Sequence, residues 1–452
     1  MLEIYIFYSK YVFLWFLLVF LFLGFTGIYE EKQGNIYVAK KKMYKQRWVV
    51  IGIHLNAFVI LTLRKGFVDI DLESLYIGLG MLLFLCIAWM VFDFRFAMED
   101  GFLWNSIFLL LTLSIVLLQR LSPKLAQQQL LWIFISFALV SATPFIFRVI
   151  PAIKRMSSFY LITGWILLML PFFLGEKKGG AMNWVFIRNY GFQPSEFVKI
   201  FMILYIASIC YKKKSYRQWL FAASMMAGYI LVLVLQRDLG GALLYFMTFL
   251  TMFYVFTGKE IYFLGGLGLG SLAAIVAYHI FHHVRVRIEV WLNPWQDIER
   301  YGYQIAHSLF ALGSWGWMGS GLTKGYAGYV PAVTTDFIFT ALVEEFGPLF
   351  GIGIIIVLIF MLIRINKIIN GTEDIFYILL GVGCMSIFGF QSFLILGGVL
   401  KMIPLTGVTL PFVSYGGSSM IAMMSLFKII QWIGIQGNQA EENRGVGNED
   451  YS

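Results

Sequence analysis

YVFLWFLLVFLFLGFTGI, residues 11–28, runs for eighteen residues without a charged side chain. A helix rising about 1.5 Å per residue crosses a hydrocarbon layer of roughly 30 Å in about twenty residues, so this stretch with its flanks is long enough to span a membrane. It is too long for a signal-peptide core and lacks a small-residue cleavage site, so the reading is an anchor that stays. Similar runs recur to the end of the chain, near 4–28, 48–63, 74–94, 102–119, 128–149, 157–174, 196–211, 217–235, 240–256, 261–281, 337–364, 375–399 and 417–436. The second is short and carries His54 and Asn56, which leaves a count of twelve open beside thirteen. Composition agrees: 60% of the 452 residues are hydrophobic and 13% charged, against about 45–50% and about 25% in soluble domains. The expected fold class is an all-α polytopic membrane protein.

The net charge of +9 does not imply nucleic acid. Lys32, Lys40, Lys41, Lys42, Lys45 and Arg47 crowd one connection, Arg148, Lys154 and Arg155 another, and Lys212, Lys213, Lys214 and Arg217 a third. With thirteen spans all three fall on one face, which the positive-inside rule makes cytoplasmic; the C-terminus is then inside and the N-terminus outside. Cys86, Cys210 and Cys384 lie in apolar runs and read as small core residues. The Gly-rich polar tail at 437–452 reads as disordered.

Three segments expected on the outer face, 175–195, 282–336 and 400–416, exceed simple connectors. The middle one is about 55 residues long, beyond ordinary helix connections, and its aromatics and glycines predict an ordered structure on the membrane. Ionisable residues near spans are functional candidates by default. Asp336, where this long segment enters a span, suits a general base at the water boundary, and equally a helix cap. Glu196 and Lys199 stand three apart at a helix start and share a face, as a structural ion pair or a functional one. Asp238 lies in a short turn where an N-cap would also serve. Glu344 and Glu345 are adjacent and face different partners, so at least one is expected to meet a helix dipole or a buried cation. Arg285 and Arg287 are placed to neutralise a phosphate, with interfacial snorkelling as the alternative. His279, His282 and His283 offer a metal-compatible pair without a clear third ligand, and read as interfacial. The glycines at 313–321 and 414–419 do not have phosphate-loop spacing.

Taken in order, GFQPSEFVK (191–199), QRDLG (236–240), RVR (285–287) with LNPW (292–295), GYQ (302–304) with Ser308, TDFIF (335–339), EEFG (344–347), PLTG (404–407) and LPFVSYGGSS (410–419) resemble the SEDS family, which includes RodA, FtsW and SpoVE, over roughly residues 97–436. The resemblance implies a ten-helix GT-C-like core over 97–436, with a large extracytoplasmic loop between core helices 7 and 8. It leaves residues 1–96 as an N-terminal extension of about three helices. It implies a peptidoglycan glycosyltransferase that polymerises lipid II into β-1,4 glycan strands, serving elongation, division or sporulation. Asp336 matches the family's essential aspartate. Glu196, Lys199, Asp238, Arg285, Arg287, Gln193, Ser195, Gln304, Thr335, Lys401 and Ser414 become candidate substrate contacts. Arg237 stands where the family carries proline, Asn183 where a basic residue is common, and Ala332 where glutamate is usual.

On that resemblance Asp336 accepts the proton of the acceptor hydroxyl, while Arg287, Arg285 or Lys199 offset charge on the departing diphosphate, with a divalent cation, Mg or Mn, as a candidate cofactor. An α-linked donor giving a β link requires inversion, for which one base suffices. No serine followed three residues later by lysine lies in a soluble domain, and the chain has almost no soluble domain to hold one, so cross-linking is expected from elsewhere; the resemblance implies a class B penicillin-binding protein packing in the membrane as partner. A lipid II flippase, or a scaffold recruiting a transpeptidase, are the alternatives.

Overall fold

The computed structural model describes residues 2–64, 69–96, 98–142, 153–178, 181–187, 190–211 and 216–449. The chain opens with α1 (Leu2–Lys32), α2 (Ile36–Leu63) and α3 (Leu72–Arg95), followed by α4 (Gly101–Leu121), α5 (Pro123–Ser141) and α6 (Ser157–Leu174). Next comes a three-stranded antiparallel sheet of β1 (Gly175–Lys178), β2 (Ala181–Ile187) and β3 (Tyr190–Phe192). Helices α7 (Pro194–Tyr211), α8 (Tyr216–Leu235), α9 (Leu239–Thr257) and α10 (Glu260–Ile280) lead to the shorter α11 (His282–Leu292), α12 (Tyr303–Gly313) and α13 (Ile338–Phe346). The last helices are α14 (Pro348–Asn370), α15 (Ile375–Val399) and α16 (Gly417–Glu449), the last of which continues as helix through residues 437–449, where the polar composition implies disorder.

Eleven of these helices are long and apolar enough to cross a membrane, making this a multi-pass membrane protein. Helices stand at the other two expected spans as well. Helix α5 begins with Lys124 and the run Gln127, Gln128 and Gln129, and α8 is apolar only over Leu220–Leu235. The doubtful second span is a full helix of 28 residues. His54 is buried there, its Nε2 3.0 Å from the Gly78 carbonyl. Arg148 and Lys212, Lys213 and Lys214, used above as topology signals, lie outside the described residues.

Helix α4 is the axis. It is apolar all round, and every residue from Gly101 to Gln119 is buried, the arrangement expected of a helix with no polar face. Helices α2, α3, α5 and α14 pack on it, and the N-terminal helices share one hydrophobic cluster with the rest. Helix α1 lies along α14, where Gly353 leaves room for Leu17 and the rings of Phe25 and Phe360 meet at 5.3 Å.

The expected span 337–364 is two helices instead. Gly347 adopts φ 94° and ψ 157°, and Pro348, which has no N–H to donate, starts α14. A Cβ at Gly347 would lie 2.5 Å from the Trp317 carbonyl oxygen, so the long outer segment passes too close for another residue. That segment is ordered, as its composition implied, into α11, α12 and a 3-10 turn at Ala327–Tyr329. The sheet at 175–192 is a departure from an all-helical reading. It pairs Gly175 with Val185 and Val185 with Phe192, and buries Asn183 and Val185 on one face.

At one end of the bundle, ion pairs pin the helices together, with the side chains of Arg364, Asp100, Lys428 and Glu99 buried and Asp93 exposed. Arg364 on α14 donates to Glu31 on α1 at 2.6 Å and to Asp100 at the start of α4. Lys428 on α16 donates to Glu99 at 2.5 Å, and Arg47 on α2 grips Asp93 on α3 through two bonds of 2.7 Å. Removing one member of such a pair strands its partner's charge, at a cost of about 3–5 kcal/mol. Arg364→Met is therefore expected to lower the unfolding midpoint of detergent-solubilised protein clearly, whereas Lys324→Met, which loses only the exposed Glu3, leaves it in place. Equal midpoints for the two variants would contradict this account of the bundle.

Candidate active site

The segment 332–336 is held by its own turn and by the loop after α15. Ala332 adopts φ 55° and accepts from the Thr335 N–H at 3.0 Å. The Tyr415 N–H donates to the Thr334 carbonyl at 2.9 Å, and the Ser414 hydroxyl to that of Thr335 at 2.6 Å. Ser414 Oγ also accepts from the Leu410 N–H at 2.9 Å. The Asp336 carboxylate then sits over Gly407, where a Cβ would lie 3.7 Å from its Oδ2.

Arg287 on α11 reaches the same place. Its Nη1 donates to the carbonyls of Leu405 and Thr406 at 3.3 and 3.2 Å, and its charge acts on both Asp336 and Asp238. Burial raises the Asp336 carboxyl above the usual aspartate range, opposed by its hydrogen bond with Thr335 and by the Arg287 charge. A carboxylate so placed is a better proton acceptor than one in open water, and the cation beside it keeps the ionised form available.

Asp238 is the N-cap of α9. Its Oδ1 accepts from the Gly241 N–H at 2.8 Å, and its Oδ2 from Asn183 at 3.0 Å and Gln193 at 3.2 Å. The cap therefore also anchors the sheet. Behind it the Glu196–Lys199 pair closes at 2.8 Å, and Lys199 also donates to Gln391 on α15 at 3.0 Å. Gln391 passes the chain on to the Thr409 carbonyl at 2.9 Å, and Thr409 Oγ1 meets Ser419 Oγ at 2.8 Å. Ser195 is buried, and its carbonyl accepts from the Tyr245 hydroxyl at 2.6 Å.

A family model described as "Cell cycle protein", covering FtsW, RodA and SpoVE, matches residues 106–439. The chain belongs to the FtsW/RodA/SpoVE family. It is 33% identical over 324 residues to the peptidoglycan glycosyltransferase RodA of Mycobacterium bovis, covering 68% of this chain and 69% of that one. It is 34% identical over 267 residues to stage V sporulation protein E of Bacillus subtilis, covering 57% and 73%. Among solved structures, a chain of a peptidoglycan synthase complex that coordinates polymerization and crosslinking superposes with a TM-score of 0.64, at 24% identity over 75% of this chain and 99% of that one. RodA of Thermus thermophilus gives 0.55, at 23% identity over 74% and 96%.

In this FtsW/RodA/SpoVE chain the candidates divide. Asp336, Thr335, Ser414, Arg287, Asp238, Gln193, Glu196 and Lys199 are linked through the contacts above. Arg285 points elsewhere: it donates to the His279 carbonyl at 3.1 Å and lies 5.8 Å from the Tyr278 ring centre. Two positions apart on a helix, the two arginines face different ways. Gln304 lines a separate pocket with Glu299, Arg300 and Pro331. Lys401, at φ 58°, braces the end of α11 by accepting from Trp291 Nε1 at 3.1 Å and donating to the Leu292 carbonyl at 3.4 Å. Gln391 was missed, although a polar residue amid an apolar helix carried the same signal as Lys199.

Glu344 and Glu345 hold the outer loop. Glu345 pairs with Arg120 of α4 at 3.1 Å, and Glu344 accepts from the Tyr326 N–H at 2.7 Å and Trp315 Nε1 at 3.2 Å. They thus have structural partners, which removes one support for a transporter.

Because Lys199 is buried between Glu196 and Gln391, Lys199→Met is expected to destabilise by about 3–5 kcal/mol. Adding Glu196→Gln should recover part of that loss, since the stranded charge is gone; thermal unfolding of both variants is the check, and a double variant worse than the single one would refute the coupling.

Proposed function

We propose that this chain is a peptidoglycan glycosyltransferase that polymerises lipid II, with Asp336 as general base and Arg287 as the cation facing the leaving diphosphate. The observation that carries the reading is the convergence of Asp336 and Arg287 on the 404–407 segment, part of which walls an apolar groove. That groove, about 690 Å³, is lined by side chains of α8, α9, α10 and α15, with Arg287 and Thr406 among its walls. An isoprenoid chain has the chemistry for the apolar walls, and its diphosphate for the guanidinium. Asn183 Oδ1, Glu196 Oε2 and Thr406 Oγ1 are buried and have no hydrogen-bond partner among the described residues. Such atoms call for partners, and a hydroxyl- and amide-rich sugar substrate offers them.

In the proposed step the acceptor sugar hydroxyl gives its proton to Asp336 as its oxygen bonds to the donor's anomeric carbon. The bond from that carbon to the diphosphate oxygen breaks, and Arg287 balances the charge that leaves. A single base on the acceptor side fits inversion at that carbon.

No protein-built cage for a divalent cation supports the reading. The Asp238 carboxylate is engaged by three donors, and among the described residues no three His, Cys, Asp or Glu side chains converge. Mg2+ carried by one carboxylate and the substrate's own diphosphate is the arrangement these residues permit, and no step here runs through it. A class B penicillin-binding protein is the partner proposed for cross-linking, in line with the synthase complex whose chain this fold resembles. The proposed topology puts Asp336 on the extracytoplasmic side and the C-terminus in the cytoplasm, since the basic residues at the end of α1 and in the first turns of α2 mark the inner face.

Purified full-length protein with its transpeptidase should extend fluorescent lipid II into glycan ladders, and Asp336→Asn should reduce them by about 100-fold or more; undiminished ladders in that variant overturn the assignment. The pH dependence adds a signed test. Asp336 must be ionised to act and its carboxyl is raised, so the rate should fall on acidification at a pH above the ordinary aspartate range. Arg287→Gln removes a charge that lowers that carboxyl, so the acid limb of the surviving activity moves to higher pH; a shift downward contradicts the pairing.

A further inference from the structure

Helix α1 lies outside the family-matched residues 106–439, yet it touches the far end of the helix that Asp336 precedes. Helix α13 is the link. All nine of its residues are buried, and Asp336 stands two positions before its start. Its far end is gripped by the outer loop: the Ser320 and Gly321 N–H groups donate to the carbonyls of Glu344 and Glu345, each at 2.9 Å. These bonds satisfy carbonyls that a helix end leaves unpaired. With the Glu344 and Glu345 carboxylate contacts above, they fasten loop residues 315–326 to that end.

The outer end of α1 bears on this same assembly from the other side. The Phe13 ring meets the Phe346 ring edge-on at 5.0 Å, with Phe13 fully buried. Ile6 packs so closely on Gly321 that a Cβ there would come within 3.0 Å of it. Lys10 Nζ donates to the Gly319 carbonyl at 3.4 Å. Gly319 and Gly321 both have positive φ, 69° and 95°, so the loop takes a left-handed path where α1 crosses it, one open to glycine and strained for other residues. A nine-residue helix is about 13 Å long and axially stiff. From Phe346 to Asp336 the chain is this single buried helix and one further residue, Phe337.

We infer that α1 is a positioning element for the proposed base: Ile6, Lys10 and Phe13 set the end of α13, and α13 sets Asp336. This rests on the polymerase reading. A base displaced by about 1 Å can lose up to roughly 100-fold in rate while substrate binding is untouched. The effect belongs in kcat, because none of the three residues is among those that line the groove or hold the Arg287 site.

The experiment uses the full-length chain in lipid nanodiscs, with its transpeptidase and fluorescent lipid II. Phe13→Ala combined with Lys10→Met is expected to lower kcat about tenfold at unchanged KM, and Phe13→Leu to retain activity within about twofold of wild type. Trp15→Ala, on the exposed side of the same helix, leaves both constants as they were. Should the double variant not fold, Ile6→Ala, which trims the packing on Gly321 and keeps Lys10 and Phe13, must show a smaller loss confined to kcat. Wild-type kcat in every folded α1 variant, a loss that appears in KM, or an equal loss in Trp15→Ala overturns the inference while leaving the polymerase reading intact. A wild-type protein that makes no ladders overturns that reading, and this one with it.

Discussion

The guanidinium of Arg287 bonds to the backbone of Leu405 and Thr406, and the geometry of the site follows from that clamp. It joins α11, more than a hundred residues earlier in the chain, to the loop after α15. The same loop takes hold of 334–335 through Tyr415 and Ser414. The Asp336 carboxylate is left over Gly407, within the influence of the clamping charge. One cation thus fixes the loop, supports a half-buried carboxylate in its ionised form, and lines an apolar groove.

The surrounding bundle shows what a low-dielectric solvent demands. Polar groups at membrane depth must find partners within the protein. Lys199, Glu196, Gln391 and Thr409 do so as a chain from α7 through α15 to the 409–419 loop. Glu345 does so with Arg120, and Arg364 with Glu31 and Asp100. Breaking one of the ionic links leaves a buried charge without its partner, so these links hold the helices in one register. Among the buried polar atoms without a hydrogen-bond partner in the described residues, those of Asn183, Glu196 and Thr406 lie on the residues and loops around the site, and others, such as those of His54 and Gln119, lie elsewhere in the bundle.

Much of this was legible in the sequence, because hydropathy and ordered motifs are local. The spans, the ordered outer segment and the prominence of Asp336 could be read directly. The choice between Arg285 and Arg287 could not: both are basic and two residues apart, and only the helical rotation of α11 separates them. The partners of Glu344 and Glu345 were equally hidden, since Arg120 and Tyr326 are distant in sequence. The break at Gly347 carried a Gly-Pro signal that the apolar run around it outweighed. The sheet at 175–192 is short and Gly-interrupted, although the burial of Asn183 and Val185 on one face follows the two-residue alternation of a strand. Nothing in α1 itself pointed to the loop at Gly319 and Gly321, because that contact exists only once the bundle is assembled.

The central claim, that Asp336 does chemistry and is more than a cap, is tested most directly by separating binding from turnover. Fluorescent lipid II should be titrated into nanodisc-embedded wild type and Asp336→Asn, with glycan synthesis measured on the same samples. If Asp336 is the base, the dissociation constants agree within about threefold while synthesis in the variant is lost. Parallel loss of binding and synthesis would assign Asp336 to holding the substrate or the fold, and would contradict the account.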